Sequence, residues 1–187
     1  MSHAIGYLKL IIGPMYAGKS TELIKEIRLY EFLEKNIVII NHSINNRYGT
    51  EGISTHDKIQ VNNSININTL QELEDKHNDL FQKTEIIIIE ELQFFNDSFE
   101  KITEWLDKYN KKIIAAGLIS DYLRQPFGDV IKLIPHAEEV IKLNALCKKC
   151  KDGTKASFTR RTTNDTNTVI VGSDTYYEAV CRKHYLK

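Results

Sequence analysis

Net charge is the first thing this chain does without. Its 25 lysines and arginines are matched by 25 aspartates and glutamates, so the formal charge at pH 7 is +0. That balance offers no basic footprint for nucleic acid and no cationic face for an anionic membrane, and neither partner is expected. Long apolar runs are missing as well: none approaches the ~20 residues needed to cross a bilayer. The N-terminal MSHAIGYLKL has neither the charged start nor the long apolar middle of a signal peptide. Cysteines number 3, an odd count, with two of them packed as CxxC. A disulfide framework is excluded on those grounds, and the expected location is the cytoplasm. Internal repeats and low-complexity segments are absent too. The 187 residues suit one domain with room for a small appendage. A chain of this length buries roughly 70% of its unfolded surface and needs no staple to hold a core.

What is present begins with residues 13–21, reading GPMYAGKST. Gly13, Gly18, Lys19 and Ser20 complete a phosphate-binding loop pattern, with Pro14, Met15, Tyr16 and Ala17 inside it and Thr21 behind it. The β-rich run 7–12 precedes the loop and a helical run, 21–35, follows, which is the context the motif requires. Gly13 and Gly18 permit backbone angles closed to other residues, so successive N–H groups can turn in around a phosphate. The helix adds the positive end of its dipole. Lys19 is placed to reach the terminal phosphates and the Ser20 hydroxyl to take a position on Mg²⁺.

Along the rest of the chain, strands alternate with helices. The first helix carries Leu23, Ile24, Ile27, Leu29, Phe32 and Leu33 at the spacing of a buried face. Residues 36–40 and 85–89 carry β-branched runs, as expected for strands covered on both sides, and 112–116 is a further buried strand. Residues 41–55 read as a loop, 70–81 as a helix, and 98–109 as a helix with Ser98 as its N-cap. Such alternation implies an α/β fold with a mainly parallel sheet. Near Leu143 the character changes. A boundary between 1–143 and 144–187 follows, the second part being polar and holding two short β-like stretches, 156–159 and 168–171.

That second part needs another source of order. Cys147 and Cys150 form one ligand pair and Cys181 and His184 another, about thirty residues apart, each with the gap that lets both ligands meet one tetrahedral ion. A closed Cys₃His shell points to structural zinc. His3, His42, His77 and His136 read as exposed or satisfied side chains.

Glu90 and Glu91 end the strand 86–89, where a phosphate-loop enzyme keeps its metal-organising carboxylate. Adjacent residues of an extended chain point to opposite sides, so one glutamate is expected to bias Mg²⁺ and the other to accept a hydroxyl proton. Gln93, Phe94 and Phe95 follow, and further on comes GLISDYLRQPFG, residues 117–128. These aromatics suit either a pocket for a flat base or a core. Arg124 suits either a transferring phosphate or a surface ion pair.

The combination of GPMYAGKSTEL, a carboxylate pair before QFF, GLxxDxxRxPFG and CxxC…CRxH resembles the type II thymidine kinases over essentially the whole chain. The resemblance implies a RecA-like phosphate-loop domain over 1–143 and a zinc-ribbon lobe over 144–187 whose lasso loop closes on the nucleoside. It implies transfer of the ATP γ-phosphate to the 5′-hydroxyl of thymidine, in a homotetramer with dTTP as feedback inhibitor. By position, Glu91 is then the catalytic base and Glu90, with Ser20, the Mg²⁺-associated pair. Met15, Phe94, Leu118, Tyr122 and Phe127 surround the thymine, with Thr159, Gly172 and Tyr177 contributed by the lasso. Arg47, Tyr48, His56 and Asp57 match an RY…THD segment whose Asp57 lies near the phosphates. Arg161 in the segment 158–161 joins Arg124 in neutralising phosphate. Four positions depart from the family pattern: Glu90 for Asp, Leu92 for a small residue, Lys58 for Arg, and Ser173 for Gly. Two other functions stay open: a kinase for a different deoxynucleoside, and a non-catalytic nucleotide-dependent binding module that uses the zinc lobe for contacts.

Overall fold

β-Branched runs supply the middle of the fold, because branching at Cβ suits a pleated surface packed on both sides. The computed structural model describes residues 5–44, 53–54, 60–61, 64–163 and 176–187. The chain runs β1 (Tyr7–Ile12), α1 (Lys19–Phe32), β2 (Ile37–His42), the short pair β3 (Ile53–Ser54) and β4 (Gln60–Val61), β5 (Ser64–Ile67) and α2 (Gln71–Lys83). Next come β6 (Ile86–Ile89), a 3-10 turn at Leu92–Phe94, α3 (Ser98–Asp107), β7 (Lys112–Gly117), α4 (Val130–Leu133) and β8 (Glu139–Lys142). The remainder holds β9 (Ala145–Leu146), β10 (Lys155–Ala156), β11 (Phe158–Arg161), β12 (Tyr177–Val180) and α5 (Arg182–Tyr185). Arg47, Tyr48, His56, Asp57, Lys58, Gly172, Ser173 and the stretch 168–171 lie outside the described residues.

A 6-stranded sheet in the order β5-β2-β6-β7-β1-β8 forms the centre, and every pairing in it is parallel. Strand alternation divides its side chains between two cores. Leu8, Leu10, Val38, Ile40, Ile87, Ile89 and Ile113 pack under α2, α3 and α4, with Phe81, Ile102, Trp105 and Leu133. Ile11, Ile39, Ile86, Ile88 and Ile114 pack under α1 against Leu23, Ile24, Ile27 and Tyr30. The architecture is therefore α/β, with helices on both faces of a parallel sheet. The C-terminal part adds two antiparallel pairs, β9 with β10 and β11 with β12.

Several sequence expectations change. The buried stripe of α1 ends with Tyr30, while Leu29, Phe32 and Leu33 are 47%, 84% and 50% exposed. Leu29 is rotated off the stripe, and Phe32 and Leu33 fall at and beyond the helix end. β2 runs through Asn41 and His42, two residues read as loop. β5 and β8 were not anticipated; they are the two edges of the sheet, where polar residues replace the continuous apolar run of a central strand. The β-like stretch 156–159 is split between β10 and β11.

Ser98 is not the cap of α3. It is the first helical residue, fully buried, and its hydroxyl lacks a hydrogen-bond partner. Asp97 precedes it and spends its carboxylate on a different helix, accepting from the Leu70 N–H at 3.0 Å and the Gln71 N–H at 2.9 Å. The start of α2 is thus capped from across the chain. Its end is closed in a similar way. The buried ammonium of Lys111 donates to the Phe81 and Thr84 carbonyls at 2.7 and 2.6 Å, and burial pushes its pKa down. Asp97→Ala should lower stability by about 1–2 kcal/mol in a urea titration, whereas Ser98→Ala should stay within about 0.5 kcal/mol of the parent. The reverse ranking would return the capping role to Ser98.

Candidate active site

Parallel registration brings the site together. Ile12 of β1 lies opposite Gly117 of β7 and Lys142 of β8, and Ile89 of β6 lies opposite Ala115. The strands therefore end at one edge, the place where open α/β sheets bind ligands. At the end of β1, Gly13 is needed for space: a Cβ there would sit 2.8 Å from the Leu143 carbonyl oxygen. Only one of the two expected glycine conformations occurs. Gly18 is left-handed at φ 82° and precedes α1, while the second left-handed residue of the loop is Tyr16, at φ 64°. The loop opens onto the N-terminus of a 14-residue helix, so its N–H groups and the helix dipole favour an anion. The Lys19 ammonium folds across the loop to the Pro14 carbonyl at 2.9 Å.

Glu90 is 5% exposed and accepts a hydrogen bond from the Ser20 hydroxyl. The hydroxyl and carboxylate expected to share a metal thus face each other directly. Glu91 is not extended as its sequence position suggested: it adopts φ 53°, ψ 45°, a left-handed conformation that enters the 3-10 turn. The two glutamates still diverge, but through this turn and not through strand alternation. Glu91 accepts from the Gln93 side-chain amide at 2.5 Å, and the Gln93 side-chain oxygen Oε1 accepts from the Leu118 N–H at 2.9 Å. Leu92 does not crowd the strand end; it is fully buried in the core and fits because residue 117 is glycine.

The aromatic residues differ in burial and pack on one another. Phe94 packs edge-on against Phe127 with centroids 5.6 Å apart, and His42 tilts against Phe94 at 5.7 Å and meets Phe95 edge-on at 4.9 Å. Phe94 and Phe127 remain partly accessible, whereas Phe95 is fully buried. Burial pushes the His42 pKa down, partly countered by its hydrogen bond with the Asn68 backbone. Leu118 follows β7, and Tyr122 lies in a tight turn held by Asp121, whose carboxylate accepts from the Leu123 and Gln125 N–H groups, both at 2.8 Å. Arg124 takes the left-handed position in that turn, and its guanidinium stacks over Tyr185 at 4.6 Å.

The C-terminal strands close onto this edge. The Met15 N–H donates to the Thr159 hydroxyl at 3.0 Å, and the Tyr16 hydroxyl to the Tyr177 carbonyl at 3.2 Å. Arg161 lies 3.7 Å over the Tyr122 ring and donates to the Tyr177 hydroxyl at 2.6 Å. Met15, Tyr122, Thr159, Arg161 and Tyr177 are thereby brought together. Asp121 and Gln93 were not picked out as site residues, since each acts through a backbone group that a sequence pattern does not display.

Cys147, Cys150, Cys181 and His184 converge, with all ligand atoms within 4.8 Å of one another. The Nδ1 atom of His184 lies 3.6, 3.4 and 3.4 Å from the Cys147, Cys150 and Cys181 sulfurs, and the last two sulfurs are 3.8 Å apart. A tetrahedral zinc with bonds of about 2.3 Å to sulfur and about 2.0–2.1 Å to nitrogen has ligand-to-ligand edges of about 3.5–3.8 Å, so the donor set fits that ion. Burial pushes the Cys147 thiol up, but N–H groups of Cys181, Cys150 and Lys149 and the His184 ring outweigh it and bring it down to about 6. Burial and the adjoining sulfurs push Cys150 up to about 11, a like-charge conflict that a divalent cation resolves. Arg160 ties the cluster to β11. It donates to the His184 carbonyl at 2.5 Å and to the buried Glu178 carboxylate at 2.9 Å.

Comparison with known proteins agrees with this geometry. The family model described as thymidine kinase matches residues 6–185. The chain is 38% identical to the thymidine kinase of Yaba monkey tumor virus over 187 residues, covering 100% of this chain and 98% of that one. It is 40% identical to the thymidine kinase of Vaccinia virus (strain Western Reserve) over 181 residues, 97% of each chain. Identity to the thymidine kinase of Oryza sativa subsp. japonica is 36% over 183 residues, 97% of this chain and 66% of the plant protein. The phosphate loop, the paired glutamates and the Cys₃His cluster lie within the matched span, and the chain belongs to the thymidine kinase family.

Proposed function

We propose that this enzyme transfers the γ-phosphoryl group of ATP to the 5′-hydroxyl of thymidine, giving dTMP for nucleotide salvage. The observation that carries the reading is the meeting of Ser20 and Glu90 at the mouth of the phosphate loop, one residue before Glu91. Phosphoryl transfer demands little covalent chemistry of the protein; it demands a cradle, a metal position and an oriented nucleophile. Residues 13–21 form the cradle, with Lys19 leaving the Pro14 carbonyl to meet phosphate oxygens. Ser20 and Glu90 would hold Mg²⁺, which when bound neutralises charge on the β- and γ-phosphates. Glu91 accepts the proton of the attacking hydroxyl. Met15, Phe94, Leu118, Tyr122, Phe127, Thr159 and Tyr177 enclose the nucleoside, and Arg161 holds the two tyrosines in place. Arg124 and Arg161 supply positive charge toward the phosphates. Asp57 and Gly172 belong to the same assignment.

The C-terminal part is proposed as a separate lobe, residues 144–187, ordered by structural Zn²⁺ on Cys147, Cys150, Cys181 and His184. Its two strand pairs and its cysteine-lined small core support that division. Likeness to the family over the full chain supports a homotetramer, inhibition by dTTP and a cytoplasmic location. No helix among the described residues is long and apolar enough to cross a membrane.

Incubation with ATP and Mg²⁺ and a panel of nucleosides tests the reaction. Thymidine should be phosphorylated with the highest kcat/KM; preference for a different deoxynucleoside, or no turnover of any, overturns the assignment. The purified protein should carry about one zinc per chain by elemental analysis, and Cys150→Ser should weaken thymidine binding before the parallel sheet unfolds. An active preparation without stoichiometric metal removes the zinc assignment. Lys19→Met should keep the fold and lose about 10²–10³-fold in kcat, since a preorganised charge at the developing anion is lost. Glu91→Gln should cost about 10²–10⁴-fold in kcat with little change in thymidine affinity. Glu90→Gln should raise the Mg²⁺ needed and recover partly in excess metal. If metal rescues Glu91→Gln and not Glu90→Gln, the two roles exchange.

A further inference from the structure

One side chain at the site belongs neither to the phosphate cradle nor to the nucleoside wall. Gln93 is 2% exposed, and both ends of its amide are committed. Its Oε1 accepts from the Leu118 N–H, which can only donate, so the amide cannot flip. The NH₂ group is therefore held toward Glu91, where it donates to Oε2. Two glycines shape the surrounding cage. A Cβ at Gly117 would lie 3.0 Å from Oε1, and one at Gly128 would lie 2.5 Å from the Gln93 carbonyl oxygen. Gly128 also has φ +58°, closed to most side chains.

The consequence for Glu91 is geometric. Its backbone is left-handed, and its carbonyl accepts from the Phe94 N–H at 3.0 Å, so the turn fixes where its side chain begins. The Gln93 amide then fixes where one carboxylate oxygen ends, through a charge-assisted hydrogen bond. The other end of the same amide grips the first residue after β7, at the root of the loop that carries Tyr122 and Phe127.

We propose that Gln93 is a positioning residue: one amide orients the Glu91 carboxylate for proton acceptance and holds it in register with the nucleoside-binding loop through Leu118. The proposal rests on the assignment of Glu91 as the base. It separates the two ends of the amide into two measurable effects. Gln93→Glu keeps the shape and the acceptor facing Leu118 but removes the donor facing Glu91. The two carboxylates then repel or share one proton, and in either case the oriented base is lost. Gln93→Met removes both ends.

The test measures kcat and the thymidine Kd for both variants, each in the parent and in the Glu91→Gln background. Gln93→Glu should lower kcat about 10–100-fold, the scale of misplacing a catalytic group, and leave the Kd within about threefold. Gln93→Met should lower kcat similarly and also weaken thymidine binding. In the Glu91→Gln background neither substitution should lower kcat further by more than about threefold, because a residue acting through Glu91 has nothing left to act on. A Gln93→Glu enzyme with kcat near the parent value overturns the proposal, as does a full kcat loss in both backgrounds. If Gln93→Glu does not fold, the same non-additivity is read from Gln93→Met. Near-parent turnover by Glu91→Gln alone overturns the base assignment, and the Gln93 proposal with it.

Discussion

The parallel register of β6, β7 and β1 is the constraint on which the rest depends. A phosphate loop after one strand and a pair of carboxylates after another are useful only if the two strands end at the same edge. They are not neighbours: β7 lies between them. At the end of β7 between them, Gly117 leaves room for Leu92 and Gln93 to approach from the β6 side. On the other flank Gly13 lets the loop pass close to the Leu143 carbonyl. Ser20 and Glu90 meet at this edge, though they are far apart in sequence.

The C-terminal strands extend this arrangement. Their core is small, made of alanines, one valine, cysteines and the faces of Tyr16, Phe158 and Tyr185. Apolar burial on that scale gives little stability, which is why a metal-shaped cluster sits at its centre. The cluster's order reaches the phosphate loop by a short route. Arg160 joins the His184 carbonyl to β11, and the preceding residue, Thr159, receives the Met15 N–H of the loop. Tyr16 completes the contact from the opposite direction, and its left-handed backbone aims its hydroxyl at β12. A tyrosine in that conformation is strained, so it persists only where the surroundings hold it.

Much of this was written in local sequence. Gly13, Gly18, Lys19 and Ser20 declare a phosphate cradle because backbone amides and a helix start need only a few adjacent residues. Four consecutive isoleucines declare a strand covered on both sides, and two short ligand pairs declare a tetrahedral site, because each signal is complete within one segment. The edge strands β5 and β8 were invisible for the converse reason: their pairing is specified by the neighbouring strand and not by their own polar sequences. Asp97 shows the same limit. Its side chain caps a helix 26 residues earlier in the chain, so the neighbouring Ser98 took the credit on local grounds.

By itself the sequence determined the kinase class, the α/β alternation, the four residues of the Cys₃His cluster and the family, all of which rest on residue types at short fixed spacings. Only the tertiary structure decided which groups touch. It placed Arg161 between Tyr122 and Tyr177, turned Glu91 into a left-handed conformation, and set Gln93 between Glu91 and the Leu118 N–H. Each of those contacts joins segments whose separation depends on strand order and crossover. The order β5-β2-β6-β7-β1-β8 is a matter of which strands pair across the crossovers, and no single stretch of the chain contains that information.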